Sequence, residues 1–179
     1  KAAIKHKSFW ENIMKFSISL TSGTDKPVSA AEIQAFAKST EALGFHGIYV
    51  TDHFYHNNPN FHSVSAAAVL CAATKHLQIG FSAYQVPLRH PIVIAKEFAM
   101  LDALSEGRLV TAFATGSYEK EFEALGIPFK QRGKMLDEGI RAIRQLWEND
   151  VASFCGDFWS FENVSVTPKP VQKPRMPIW

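Results

Sequence analysis

Residues 77–116 read LQIGFSAYQVPLRHPIVIAKEFAMLDALSEGRLVTAFATG, and their order decides the fold class. Leu77 to Ala83 is apolar and β-prone, residues 84–89 hold a proline and an arginine, and His90-Pro91 opens an apolar-periodic run. Ile94, Phe98 and Leu101 recur at helical spacing with Ala95 and Ala99 beside them. That helix should end near Ser105, with Gly107 as a left-handed cap. Arg108 to Ala114 returns to strand character and stops at Thr115-Gly116. The stretch is a βαβ unit, predicting two parallel neighbouring strands joined by a right-handed crossover. Its loops after Ala83 and Ala114 then share the face where α/β folds bind ligands.

Outward from this unit, helices and strands keep alternating. Lys15–Leu20 reads as the first strand, followed by the turn-rich TSGTDKP and a helix capped by Ser29. The apolar face of that helix is Ile33, Phe36, Ala37 and Leu43, and Gly44 stops it. A second strand, Gly47–Thr51, leads into a loop holding Asp52, His53, Phe54, His56, Asn57, Asn58, Pro59 and His62. A helix over 63–74 precedes Leu77. Beyond Gly116 the sequence predicts a short helix over 117–125 closed by Gly126. A long amphipathic helix over 131–149 follows, burying Met135, Leu136, Ile140, Ile143, Leu146 and Trp147. Residues 150–161 read as a β-hairpin insertion around Gly156-Asp157, with Phe154, Phe158, Trp159 and Phe161 packed in it. A proline-rich connector, 167–177, delivers Ile178-Trp179 to a fifth strand. No internal repeat interrupts the series, so one layered α/β unit is expected over 14–179. Residues 1–13, KAAIKHKSFWENI, lack an apolar targeting segment and read as an N-terminal extension or cloning remnant before Met14.

Composition removes several function classes. The 179 residues are 46% hydrophobic and 20% charged, ordinary for a globular chain with a sizeable core. The net charge of +2 arises from 19 basic and 17 acidic residues scattered along the chain, without the basic stripe that nucleic-acid binding requires. No apolar run is long enough to span a bilayer. Cys71 and Cys155 are far apart in sequence with no paired framework, which points to a reducing cytoplasm.

Leu88-Arg89-His90-Pro91, Ala95, Leu101-Asp102, Leu104 to Arg108 and the tail Pro168-Lys169-Pro170-Val171-Gln172-Lys173-Pro174 together resemble the luciferase-like monooxygenase family. The resemblance runs from about Met14 to the last residue and implies a (β/α)8 TIM barrel of α/β class. A barrel of this kind takes about 250 residues. This chain supplies four βα units and the start of a fifth, so it reads as the N-terminal half of a luciferase-like barrel domain, truncated after about four units. The family implies an oxidoreductase using reduced FMN or the deazaflavin coenzyme F-420, acting on a small organic substrate. Its cofactor phosphate is held largely by groups after the fifth strand. The expected partner besides substrate is a second copy, in a homodimer of the full-length protein, with neither nucleic acid nor membrane.

The residues themselves offer one sharp candidate. Asp52-His53 stands at a strand's carboxyl end, where an imidazole can carry a proton and a carboxylate can orient a polar cofactor edge. The resemblance makes Asp52 a cofactor contact and His53 the catalytic proton donor or base. It also places a cofactor-supporting bulge at Ser82, Ala83 and Gln85, where some members have a non-prolyl cis peptide, here falling at Ser82–Ala83. It assigns Thr115 and Gly116 to cofactor contact as well. Deazaflavin-dependent sugar-phosphate dehydrogenases carry a glutamate directly after this glycine, whereas this chain has Ser117. Asp52, His53, His56 and His62 could instead ligate a metal, as in barrel hydrolases, but such enzymes draw a histidine pair from the first strand and KFSISL has none. A hydride-transferring deazaflavin reductase and a non-catalytic flavin-binding paralogue are the remaining alternatives. Arg89 and His90 read as structural, Asp102 and Arg108 as a pair at the helix end, and His46 and His76 as residues of the opposite, stability face.

Overall fold

The computed structural model of the chain describes residues 14–21, 28–57 and 60–179. The extension over 1–13, most of the turn after the first strand (22–27), and Asn58 and Pro59 lie outside the described residues.

Four parallel strands form the main sheet in the order β1 (Ser17–Leu20), β2 (Gly47–Val50), β3 (Gln78–Phe81) and β5 (Leu109–Val110). Crossovers α1 (Ala30–Ala42), α2 (Ser63–Ala73) and α3 (Pro91–Leu104) join them in turn. Alternation decides what each strand buries. Ile48, Val50, Ile79 and Phe81 join Ile33, Ala37, Ala66, Leu70, Ile94 and Phe98 in a continuous core between sheet and helices. The serines of β1 lie on the other face, where Ser19 Oγ donates to the carbonyl of Tyr49 at 3.3 Å.

The strands predicted at 77–83 and 108–114 are each divided. The Ser82–Ala83 peptide is cis, and after it a short β4 (Tyr84–Gln85) pairs in parallel with β6 (Phe113–Ala114) as a second two-stranded sheet. The expected fifth strand begins where predicted. Thr111 bridges Ile178 in parallel, Trp179 N donates to Thr111 O at 2.8 Å, and Phe113 N donates to Trp179 O at 3.1 Å.

Helix ends follow local chemistry. Ser29 and Glu32 complete a capping box on α1, His62 caps α2, and His90 caps α3 by accepting from Ile92 N at 3.2 Å. Leu43, expected on the buried face of α1, is instead its C-cap and 75% exposed, and Thr40 is the last buried residue of the helix. Gly107 has φ of 80°, as a left-handed cap requires.

Asp102 and Arg108 do not pair as expected. Arg108 donates to the carbonyls of Cys71, Thr74 and Leu77, closing the end of α2. Asp102, fully buried, accepts from Val171 N, Gln172 N and Gln172 Nε2 at 2.6–3.0 Å. Each charge is satisfied by backbone that would otherwise be orphaned, so neither has reason to seek the other.

After β6 come α4 (Glu119–Ala124), α5 (Arg132–Glu148) and an antiparallel hairpin of β7 (Ala152–Cys155) and β8 (Ser160–Val164), which runs three residues beyond its predicted end. α5 buries Met135, Ile143, Leu146 and Trp147 as its period requires, and Trp147 Nε1 donates to Ala95 O at 3.0 Å. Glu138 leaves the same helix to accept from Asp157 N, Phe158 N and Trp159 N at 2.8–2.9 Å, holding the hairpin turn.

Candidate active site

The carboxyl ends of β2, β4 and β6 open into a cleft of about 280 Å³ lined by residues 51–53, 82, 83, 85 and 114–117. The strand-end residues singled out in the sequence, Asp52, His53, Ser82, Ala83, Gln85, Thr115 and Gly116, all line it. Two of the other loop histidines have different positions. His56 stands 4.7 Å from the His53 ring, and His62 caps α2. Among the described residues, no three His, Cys, Asp or Glu side chains gather where they could hold a metal ion.

Asp52 is buried and its carboxylate is saturated. One oxygen accepts from Arg89 Nη2 at 2.7 Å and Ser63 Oγ at 2.5 Å, the other from Arg89 Nη1 at 2.8 Å and Gln85 N at 2.9 Å. A carboxylate has about four lone-pair sites, and all are used. The carboxylate expected as a cofactor contact holds the loop's own framework. Arg89 lies between the rings of Phe54 and Tyr84, with its guanidinium carbon 3.9 and 4.3 Å from their centroids. Burial opposes the guanidinium's charge, but the hydrogen bonds and charge of Asp52 outweigh it and hold Arg89 above its ordinary pKa. Burial likewise pushes the Tyr84 phenol up, and its hydroxyl donates to Glu97 at 3.0 Å.

Glu121, on α4, completes the site and was not among the candidates read from the sequence. It is fully buried. Its Oε2 lies 3.1 Å from His53 Nδ1 and 3.1 Å from Gln85 Nε2, while Oε1 accepts from Phe54 N and from Tyr55 N at 3.2 Å. The sequence signal was weak, because Glu121 stands in EKEFEA between Glu119 and Glu123, which are both exposed. Glu121 is 68 positions from His53, so nothing local in the sequence joins them.

Gln85 is pinned by its neighbours. Its amide nitrogen donates to Asp52 O at 2.5 Å and to Glu121 Oε2, which fixes the orientation of the amide, because turning it over would set its oxygen against two acceptors. Gln85 Oε1 is consequently buried and, among the described residues, has no hydrogen-bond partner. It lies against Gly116, where a Cβ would fall 2.3 Å from it. Gly116 has φ of 80°, so this position admits glycine for conformation and for space alike.

The profile of the luciferase-like monooxygenase family matches residues 14–179. The flavin-dependent trigonelline monooxygenase (oxygenase component) of Acinetobacter baylyi is 36% identical over 143 residues, covering 76% of this chain and 38% of that protein. The F420-dependent glucose-6-phosphate dehydrogenase of Amycolatopsis mediterranei is 32% identical, covering 79% of this chain and 45% of its own length. A monooxygenase of Streptomyces bottropensis superposes with a TM-score of 0.84 at 28% identity, over 92% of this chain and 52% of that one. The chain thus spans about half the length, or less, of these relatives. A family match across nearly the whole sequence and the shared barrel geometry lead to one conclusion: this chain belongs to the luciferase-like monooxygenase family.

Proposed function

We propose that the full-length protein is a flavin-dependent oxidoreductase of the luciferase-like monooxygenase type, acting on a small organic substrate with molecular oxygen. The observation that carries this reading is Gln85 Oε1, a buried acceptor on a cleft-lining residue with no donor among the described residues. A planar ring edge bearing an N–H group satisfies such an oxygen, and flavin and deazaflavin rings both present one. The residues present therefore fit the group. Gln85, Ser82, Ala83, Thr115 and Gly116 would hold it, with Asp52 acting through the backbone and side chain of Gln85. When bound, reduced FMN supplies electrons for oxygen chemistry, whereas a deazaflavin supplies hydride.

This chain's own residues bind, orient and carry a proton. His53 reaches the cleft with its side chain 25% exposed, the partly open position that a proton donor or base needs. A deazaflavin-dependent hydride-transfer role is the second reading, supported by the 32% identity to the glucose-6-phosphate dehydrogenase. Ser117, in place of the glutamate of that branch, counts against its particular substrate. Two free cysteines, one buried and one exposed, support a reducing cytoplasm as the compartment, and no helix among the described residues is long and apolar enough to cross a membrane. Val93, Met100 and Leu104 lie along one exposed stripe of α3 and support a homodimer.

The test is an anaerobic titration of the full-length protein with FMN and with the deazaflavin, followed by oxygen uptake with reduced FMN. Binding of FMN with oxygen uptake is the expected result. Binding of the deazaflavin alone selects the second reading, and binding of neither overturns both.

A further inference from the structure

We infer that Glu121 is a positioning residue that fixes His53 as its Nδ1–H tautomer, leaving Nε2 as the nitrogen that exchanges a proton at the cleft. The role of Nε2 rests on the reading of His53 given above, whereas the tautomer is set by the hydrogen bonds around Nδ1 alone.

Glu121 Oε2 lies 3.1 Å and Gln85 Nε2 3.3 Å from His53 Nδ1, and the His56 ring is tilted against His53 at 4.7 Å between centroids. An ionised carboxylate only accepts, so a bond to Glu121 requires a proton on Nδ1. A bond from Gln85 would require the opposite tautomer. Stoichiometry decides between them. The Gln85 amide has two protons, and Asp52 O and Glu121 Oε2 take both. Its approach to Nδ1 is therefore a contact between two donors, and Nδ1 is left to donate to Glu121.

The remaining partners explain why Glu121 holds still enough to do this. Oε1 collects the backbone N–H groups of Phe54 and Tyr55, the residues directly after His53, so one carboxylate ties the ring and the loop that carries it. Among the described residues the only ion pair of Glu121 is with His53. The arrangement is that of a buried carboxylate orienting a histidine, here built from a loop after β2 and a helix after β6.

The measurement is the tautomer itself. In the full-length protein labelled with ¹⁵N-histidine, long-range ¹H–¹⁵N spectra at about pH 8, above the ordinary imidazole range, distinguish Nδ1–H from Nε2–H. The His53 signals, assigned by their loss in His53→Ala, should show Nδ1–H as the dominant form. Dominant Nε2–H in the unsubstituted protein overturns the inference without any further variant. In Glu121→Gln the side chain offers an N–H as readily as an oxygen, so loss of the dominant Nδ1–H form is expected. Glu121→Asp should restore it in part. Retention of Nδ1–H in a folded Glu121→Gln also overturns it. Failure of the flavin titration, or normal turnover in His53→Ala, would remove the functional reading while leaving the tautomer result standing.

Discussion

At the scale of single residues, the cleft separates two histidine–carboxylate relationships that adjacency in sequence conflates. Asp52 precedes His53 but is committed to Arg89, in a pair whose side chains are 1% and 6% exposed. Breaking such a buried bidentate pair from one side costs about 3–5 kcal/mol, because the other charge is left desolvated. Asp52→Ala should therefore lower the melting temperature and the denaturant midpoint of the full-length protein, in addition to weakening cofactor binding through a loosened Gln85. Full stability with weakened binding would restore Asp52 to a direct cofactor role. His53→Ala should behave differently, leaving the fold intact and lowering turnover by about 10²-fold or more, the effect of losing a positioned proton carrier. Turnover within twofold of the parent would take His53 out of the chemistry. The Asp52-His53 pair was legible as a site because both residues stand at a strand end. Its wiring was not, because Arg89, Gln85 and Glu121 lie 32 to 68 residues away and only the closed fold brings them in.

At the scale of elements, acidic side chains on α1, α3 and α5 hold backbone from a neighbouring segment, as Glu121 on α4 does in the cleft. Glu41 at the end of α1 accepts from Lys75 N, His76 N and Leu77 N just before β3, Asp102 on α3 accepts from Val171 N and Gln172 N, and Glu138 on α5 accepts from the hairpin turn. Periodicity found these helices but missed the clamps. Sequence gives no sign that Asp102 prefers distant N–H groups to Arg108 six residues on. For Glu138 the consequence is a pH dependence. Burial pushes its carboxyl up, but hydrogen bonds from Phe158, Trp159 and Asp157 outweigh this and hold it below the ordinary value of 4.5. A depressed carboxyl contributes stability that is complete above 4.5 and is lost as pH falls through the lower folded value. Glu138→Gln should thus cost about 1–2 kcal/mol near neutrality, where three part-buried N–H donors lose a charged acceptor. In urea unfolding the gap between parent and variant should close as pH drops below 4.5. A gap independent of pH would show that the charge of Glu138 contributes nothing. Gly156→Ala tests the same clamp sterically, since a Cβ there falls 2.3 Å from Glu138 Oε1.

At the scale of the whole molecule, strand order, crossovers and hairpin followed from periodicity and turn chemistry, while the cis peptide at Ser82–Ala83 came only from the family resemblance. The division of two strands there follows from pairing that no single segment encodes. The same architecture predicts how the 179-residue chain behaves by itself. Among the described residues β1 pairs only with β2, and Ile178 pairs only with Thr111, so both sides of the sheet present unpaired backbone. Phe16 and Trp179, 63% and 67% exposed, flank those edges. Light scattering should find this chain associating with itself as concentration rises. Among the described residues the cleft lining includes neither Lys nor Arg, the nearby Arg89 is spent on Asp52, and Arg132 donates to the carbonyls of Gly116 and Phe129. FMN and riboflavin should then bind the isolated chain equally weakly, without saturating below about 100 μM. A monodisperse monomer that binds FMN in the micromolar range, and more tightly than riboflavin, would mean that the described cleft holds a phosphate anchor which its lining residues do not supply.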